Sequence, residues 1–212
     1  NCPEGLVEDT EVSLYETEEL IEKYHKNTKI KPILTPRFVP TCTETLLKGL
    51  GRMAEKYGIP IQSHLSENYD EVKWVKELHS GSQNYSSVYD ENGLFGQTPT
   101  LMAHCIYNSE EEIEKMAANG IVAVHCPDSN CNLASGIMPV RKLLKKGVKV
   151  GLGSDVGGGH NLSMAKAVVR AIQLSKMMKV MDGDNEPLTI EEAYYMATKG
   201  GGSFFGKVGS FE

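Results

Sequence analysis

Three histidines and an aspartate stand at the ends of successive apolar runs. His64 closes "IPIQSH", His104 closes "TLMAH", His125 closes "IVAVH", and Asp155 follows "VKVGLGS". One histidine in such a place is an ordinary core or turn residue. Three of them with a carboxylate, repeated run after run, point to a metal site, because imidazole and carboxylate form a donor set that suits zinc or iron. Glu67 comes one short turn after His64. A carboxylate there can serve as a helix-start acid favoured by the helix dipole; its place beside His64 gives it a proton-transfer role instead. Arg37 lies just past an earlier run, "KPILT", with Phe38 next to it. A guanidinium fork can donate two hydrogen bonds to a planar ligand, and a phenyl ring can pack on or beside it.

These residues need a scaffold that brings run ends together. The runs are short, apolar and separated by helical patterns, which predicts a parallel sheet buried on both faces and built from βαβ units. Five strands are expected, beginning near Lys31, Ile59, Thr100, Ile121 and Val148. A helix is predicted over 43–57, with Leu46, Leu47, Leu50, Met53 and Ala54 at helical spacing and Gly58 as its stop. Ser66 is expected to cap the next helix, and 79–99 reads as a loop-rich insertion. Ser109 with Glu112, and Thr189 with Glu192, form capping boxes. Gly120 and Gly147 mark helix ends, Pro139 suits a first helical turn, and a further helix is predicted from Ser163 to Met178. In parallel α/β folds the C-terminal strand ends form the working face. No G-x-G-x-x-G or Walker loop follows any strand, which weakens a nucleotide-binding open sheet.

Composition narrows the classes. With 22 basic against 28 acidic residues in 212, the net charge of −6 disfavours nucleic acid and anionic membranes as partners. No apolar run approaches the roughly 20 residues of a membrane span. The five cysteines include no C-x-x-C pair and read as reduced, mostly buried residues. Met177, Met178 and Met181 are expected in packing, and Trp74 is expected to pack its helix against the sheet. His25 and His79 are expected at the surface, His160 in a loop beside the site. His125 either lines the site or anchors the "CPDSN" turn.

In order along the chain, "QSHLSEN", "LMAHC", "VHCPDSN" and "GLGSDVGGG" resemble the strand-end motifs of the amidohydrolase superfamily, metal-dependent hydrolases on a (β/α)8 TIM barrel. "TPRF" followed by "QSHLSE" is similar to the subgroup that deaminates guanine to xanthine and ammonia with metal-activated water. The resemblance implies His64 and Asp155 as metal ligands, with one Zn2+ per subunit and Fe2+ as the alternative. It implies Asp155 as acceptor of the water's proton and Glu67 as the group that protonates the ring nitrogen and later the departing ammonia. His104 would orient the hydroxide or stabilise the tetrahedral intermediate. Arg37 and Phe38 would bind the purine, in a pocket shared with His64, Glu67 and Asp155. A cytoplasmic homodimer acting on a small-molecule purine and water is further implied.

The superfamily draws two more ligands from an H-x-H motif on its first strand, and none of the six histidines here forms one. The resemblance therefore covers a partial barrel, about strands four to eight, over 1–202, with 203–212 beginning the return to a small β domain. A start at Asn1 fits a chain that begins inside a larger protein, since a complete barrel takes ~250 residues. Two alternatives stand beside this reading. One is another amidohydrolase deaminase, acting on cytosine, an adenosine derivative or a triazine. The other is a non-catalytic fragment lacking the H-x-H ligands.

Overall fold

The computed structural model describes residues 3–206, 208 and 209. At its centre lies a four-stranded parallel sheet in the order β1 (Ile61–Leu65), β2 (Thr100–His104), β3 (Val122–His125) and β4 (Lys149–Leu152). Each strand pairs with the next one along the chain, without the reversal of order that marks a doubly wound sheet. Helices α1 (Thr10–Tyr24) and α2 (Glu44–Tyr57) precede β1. The crossovers carry α3 (Tyr69–Leu78) and α4 (Tyr85–Glu91), then α5 (Glu110–Ala118), then α6 (Pro127–Asn132) and α7 (Val140–Lys145). Helices α8 (Met164–Met181) and α9 (Ile190–Tyr195) follow β4.

Burial was expected on both sheet faces and is complete on one. Ile61, Ser63, Leu65, Thr100 and Met102 are buried, whereas Gln62, His64, Leu101 and Ala103 are half-buried. The helices cover the first set, and the alternate residues line the concave side, as in a section of barrel wall. Sequential strand order with one helix-covered face is the winding of a (β/α)8 barrel, present here in part.

The first expected strand reduces to a single parallel bridge, Leu34 to Ile61. Leu34 donates its N–H to the Pro60 carbonyl and accepts from Gln62 N–H. Prolines at 32 and 36 occupy the neighbouring positions of the same parity and have no N–H to donate, so the ladder stops at one rung.

Local signals elsewhere succeed or fail for identifiable reasons. Thr43 caps α2 through Leu46 N–H, and Gly58 closes it at φ 63°. Both predicted capping boxes, at Ser109 and Thr189, are present. Ser66 caps nothing: at φ 50° it turns the chain, and its carbonyl accepts from Ile106 and Tyr107 N–H. The cap of α3 is Asn68, boxed with Glu71. The supposed insertion contains α4, capped by Asn84, with Tyr85, Val88, Tyr89, Leu94 and Phe95 buried. Trp74 is exposed; Val75 packs α3 instead. On α8 the buried stripe is Ala167, Ala171 and Ser175. Met177 and Met181 lie about 200° and 240° around the helix from Ser175 and are exposed, while Met178 is half-buried.

Cys105 and Cys126 are buried, Cys42 is half-buried and Cys131 exposed, all as free thiols. Cys2 lies outside the described residues. So do Lys207 and 210–212, where the start of a β domain was expected; Ser203–Phe205 forms a 3-10 turn. Among the described residues no helix is long and apolar enough to cross a membrane.

Candidate active site at the strand ends

Parallel pairing puts His64, His104 and His125 at one end of the sheet, with Asp155 three residues beyond β4 at the same end. Ser66, His104, Cys105 and Asp155 all have positive φ, between 44° and 70°. A left-handed non-glycine residue costs roughly 1 kcal/mol or more, and such residues collect where function constrains the backbone. Here they bend the chain sharply as it leaves β1, β2 and β4.

His64 is half-buried, and its Nδ1 lies 2.6 Å from the Arg37 carbonyl. That carbonyl can only accept, so Nδ1 carries the hydrogen and Nε2 keeps its lone pair. This is the form in which a ligating histidine is held by its outer partner. Tyr89, fully buried, donates from its hydroxyl to the His64 carbonyl (2.9 Å) and pairs with Ser63 Oγ (2.7 Å), fixing the strand beneath. The His64 and His104 rings stack, with centroids 5.2 Å apart and planes 20° from parallel.

His104 is buried, with Nδ1 donating to Asn130 Oδ1 at 2.8 Å. Its Nε2 faces Glu67 Oε2 across 3.7 Å, too long for a hydrogen bond and too short for an atom to sit between them, so an atom that meets both must lie to one side. The other oxygen of Glu67, Oε1, accepts from Ser135 Oγ at 2.8 Å. Glu71 holds the turn below: its carboxylate accepts from Glu67 N–H (3.0 Å) and Asn68 N–H (3.3 Å), and from the Tyr85 hydroxyl (2.6 Å). Burial, with the Tyr89 and Glu71 groups nearby, pushes the Tyr85 phenol far above its ordinary range, so it stays a donor.

His125 is buried, and its Nδ1 has no hydrogen-bond partner among the described residues. Burial, with His104 nearby, pulls the imidazole down to about 3. No bond from its ring to the "CPDSN" turn supports an anchoring role. Burial first, then the Asp155 and Glu67 carboxylates, push the Cys126 thiol up to about 12. Both carboxylates therefore act on one thiol at the end of β3. Gly158 lets the Asp155 turn close, because a Cβ there would stand 2.9 Å from Asp155 Oδ2 and 2.7 Å from Ser129 Oγ.

Arg37 reaches His64 through its carbonyl. Its exposed guanidinium sits 6.0 Å from the Phe38 ring centre. His160 is exposed and touches Asn132 (3.1 Å). His25 and His79 end α1 and α3. Sequence reasoning missed Asn130, Ser135, Tyr89 and Glu71; only Glu71 had a local signal, the Asn-x-x-Glu box.

Among the described residues no three His, Cys, Asp or Glu side chains gather closely enough to hold a metal ion. His64 is oriented as a ligand would be, and Asp155 offers a carboxylate at the same rim. Imidazole and carboxylate are donor types that suit a divalent ion.

The profile of the amidohydrolase family matches residues 3–212. Guanine deaminase of Rattus norvegicus is 43% identical over 210 residues, covering 97% of this chain and 46% of the relative. The crystal structure of guanine deaminase from C. acetobutylicum with bound guanine in the active site is 56% identical, with a TM-score of 0.97, covering 100% of this chain and 51% of that one. An adenosine deaminase from Xanthomonas campestris with bound zinc is 25% identical, with a TM-score of 0.83, covering 93% of this chain and 45% of its own. The chain thus spans about half the length of the relatives it matches.

Proposed function

The chain belongs to the amidohydrolase family, and from that premise we propose that it forms part of an enzyme converting guanine and water to xanthine and ammonia. The observation that carries this reading is the grouping of His64, His104 and Glu67 at one strand-end rim, where His104 Nε2 and Glu67 Oε2, 3.7 Å apart, can both reach an atom placed beside them. The guanine bound in the C. acetobutylicum relative supports the substrate. His64 Nε2 and the Asp155 carboxylate would hold part of the shell of one Zn2+ per subunit, with Fe2+ as the competing ion and the remaining donors from elsewhere in the longer protein. The zinc in the Xanthomonas relative supports that choice. Such an ion, when bound, lowers the pKa of a water from 15.7 to about 7.

The chain's own groups do the rest. Asp155 accepts the water's proton as its oxygen attacks the amino-bearing carbon. Glu67 takes the water's other proton on Oε2 and passes it to the ring nitrogen, then relays the proton held by Asp155 to the ammonia as the C–N bond breaks. In neutral His104 the bond to Asn130 makes Nε2 an acceptor, which suits orienting the attacking water better than stabilising an oxyanion. Arg37 donates to the purine carbonyl and ring nitrogen, with Phe38 beside the ring. A cytoplasmic homodimer completes the reading, and the exposed Val180 and Met181 on α8 are compatible with it. Cytosine, adenosine-derivative and triazine substrates are the competitors that "TPRF" disfavours. A non-catalytic role is opposed by the bonds that hold His64, His104 and Glu67.

The test compares catalytic efficiency on guanine and 2-aminopurine, which keeps the amino group and lacks the carbonyl, in the full-length protein and its Arg37→Met variant. A site built to hydrogen-bond a substrate group rejects analogues without it by up to about 10⁴–10⁵-fold. The wild type should discriminate strongly, and the variant should lose most of that preference with its metal content unchanged. Equal efficiency on both substrates in the wild type would remove Arg37 as the determinant and reopen the competing substrates.

A further inference from the structure

Glu67 has two carboxylate oxygens, and only one faces the gap toward His104. The other is taken by a residue 68 positions away: Ser135 donates from Oγ to Oε1 at 2.8 Å. Ser135 is 2% exposed, and its backbone is pinned at both ends. Its N–H donates to the Asn130 carbonyl (2.9 Å), and its carbonyl accepts from the Tyr107 hydroxyl (2.8 Å). On either side the chain is left-handed, at Ala134 (φ 53°) and Gly136 (φ 138°). Position 136 has no room for a side chain, since a Cβ there would stand 2.7 Å from the Tyr107 hydroxyl oxygen. The turn after α6 thus accepts an unfavourable backbone at Ala134, and the result is a buried hydroxyl aimed at Glu67.

We infer that Ser135 is a positioning residue for proton transfer. Its hydroxyl holds Oε1 and so fixes the side-chain torsions of Glu67, which leaves Oε2 directed at the His104 gap. This rests on the reading of Glu67 as the proton carrier. Without the hydroxyl the carboxylate regains rotamer freedom. The turn that bears it stays in place, because Glu71 holds the backbone N–H of Glu67 and Asn68 independently of Ser135. The loss therefore falls on turnover and spares folding and substrate binding.

The experiment is a double-mutant cycle on the full-length, metal-loaded protein: wild type, Ser135→Ala, Glu67→Gln, the double variant, and Ser135→Thr as the conservative replacement. Misplacing a reacting group by about 1 Å can cost about 10²-fold, so Ser135→Ala should lower kcat by roughly 10- to 100-fold. KM, metal content and melting temperature should stay near wild type, and threonine should restore part of the rate. The double variant should be no slower than Glu67→Gln alone, since nothing remains to be positioned. The inference is overturned by wild-type kcat in Ser135→Ala, by losses that multiply in the double variant, or by a rise in KM alone. Wild-type rate in Glu67→Gln overturns the proton-carrier reading and this inference with it. A wild type that ignores guanine and deaminates another heterocycle overturns the substrate alone, and the cycle is then decided on that heterocycle.

Discussion

The rim above β1 to β3 and the rim beyond β4 solve the same problem in different ways. Above β1 to β3, each working side chain is held by a partner far away in sequence: His64 by Arg37, His104 by Asn130, Glu67 by Ser135. Beyond β4, Asp155 sits in a glycine-rich turn and has no side-chain hydrogen bond among the described residues. Two apolar side chains near that turn, Val156 and Leu162, are exposed. The first region orients its groups before any ligand arrives. The second presents a carboxylate on a tight backbone and leaves its orientation to whatever binds it. A proton carrier with no ion to align it, as proposed for Glu67, needs its angle fixed in advance, whereas the carboxylate proposed to hold the ion can be aligned by it even when it also accepts a proton.

The largest effect that would break this comparison lies in the pre-oriented region. Glu67→Gln in the full-length protein should keep the metal and lose about 10²–10⁴-fold in turnover, because an amide cannot relay a proton. Metal analysis with steady-state kinetics checks it; a near-normal rate would reduce Glu67 to a turn residue.

A smaller effect tests the burial of that rim. His125 is held neutral down to about 3 by burial and by nearby His104. An unfolded histidine takes up a proton near 6.5, so the unfolded chain binds more protons than the folded one between about pH 6.5 and 3. This contribution is fully present above pH 6.5 and is lost as pH falls, at about 1.4 kcal/mol per pH unit. His125→Gln should flatten the decline in urea midpoint between pH 7 and pH 5. Parallel slopes for variant and wild type would show that the imidazole titrates as if exposed.

The smallest effect lies at the far end of α8, away from both rims. Met181→Ser should change stability by no more than about 0.5 kcal/mol, as exposed substitutions usually do. A loss of stability of about 1 kcal/mol or more, read from thermal unfolding of the full-length protein, would mean that the α8 face is covered, by the rest of that protein or by a second subunit.

Much of this molecule is legible without coordinates, wherever the signal is short-ranged. Strand ends at His64, His104 and His125, the caps at Thr43, Ser109, Ser163 and Thr189, and the glycine stops at 58, 120 and 147 depend on neighbours a few residues away. Residue types at successive strand ends sufficed to name His64, His104, His125 and Asp155 together, with Glu67 one short turn after His64, because a parallel sheet must bring those ends to one side. Where two local signals compete, the sequence alone misleads: Ser66 resembles a cap as much as Asn68 does, and only the bonds from Ile106 and Tyr107 to its carbonyl make it a turn. Other features are set by packing across the fold. Trp74 and Met181 are apolar and still exposed, because the buried stripe of a helix is chosen by what lies beneath it. The partners of the working groups are the clearest case. Ser135 and Asn130 carry no local mark of their role, and each acquires it from a residue 68 or 26 positions away. Periodicity and capping are properties of a few adjacent residues, which the sequence determines; which hydroxyl meets which carboxylate is a property of closed space, which only the tertiary structure decides.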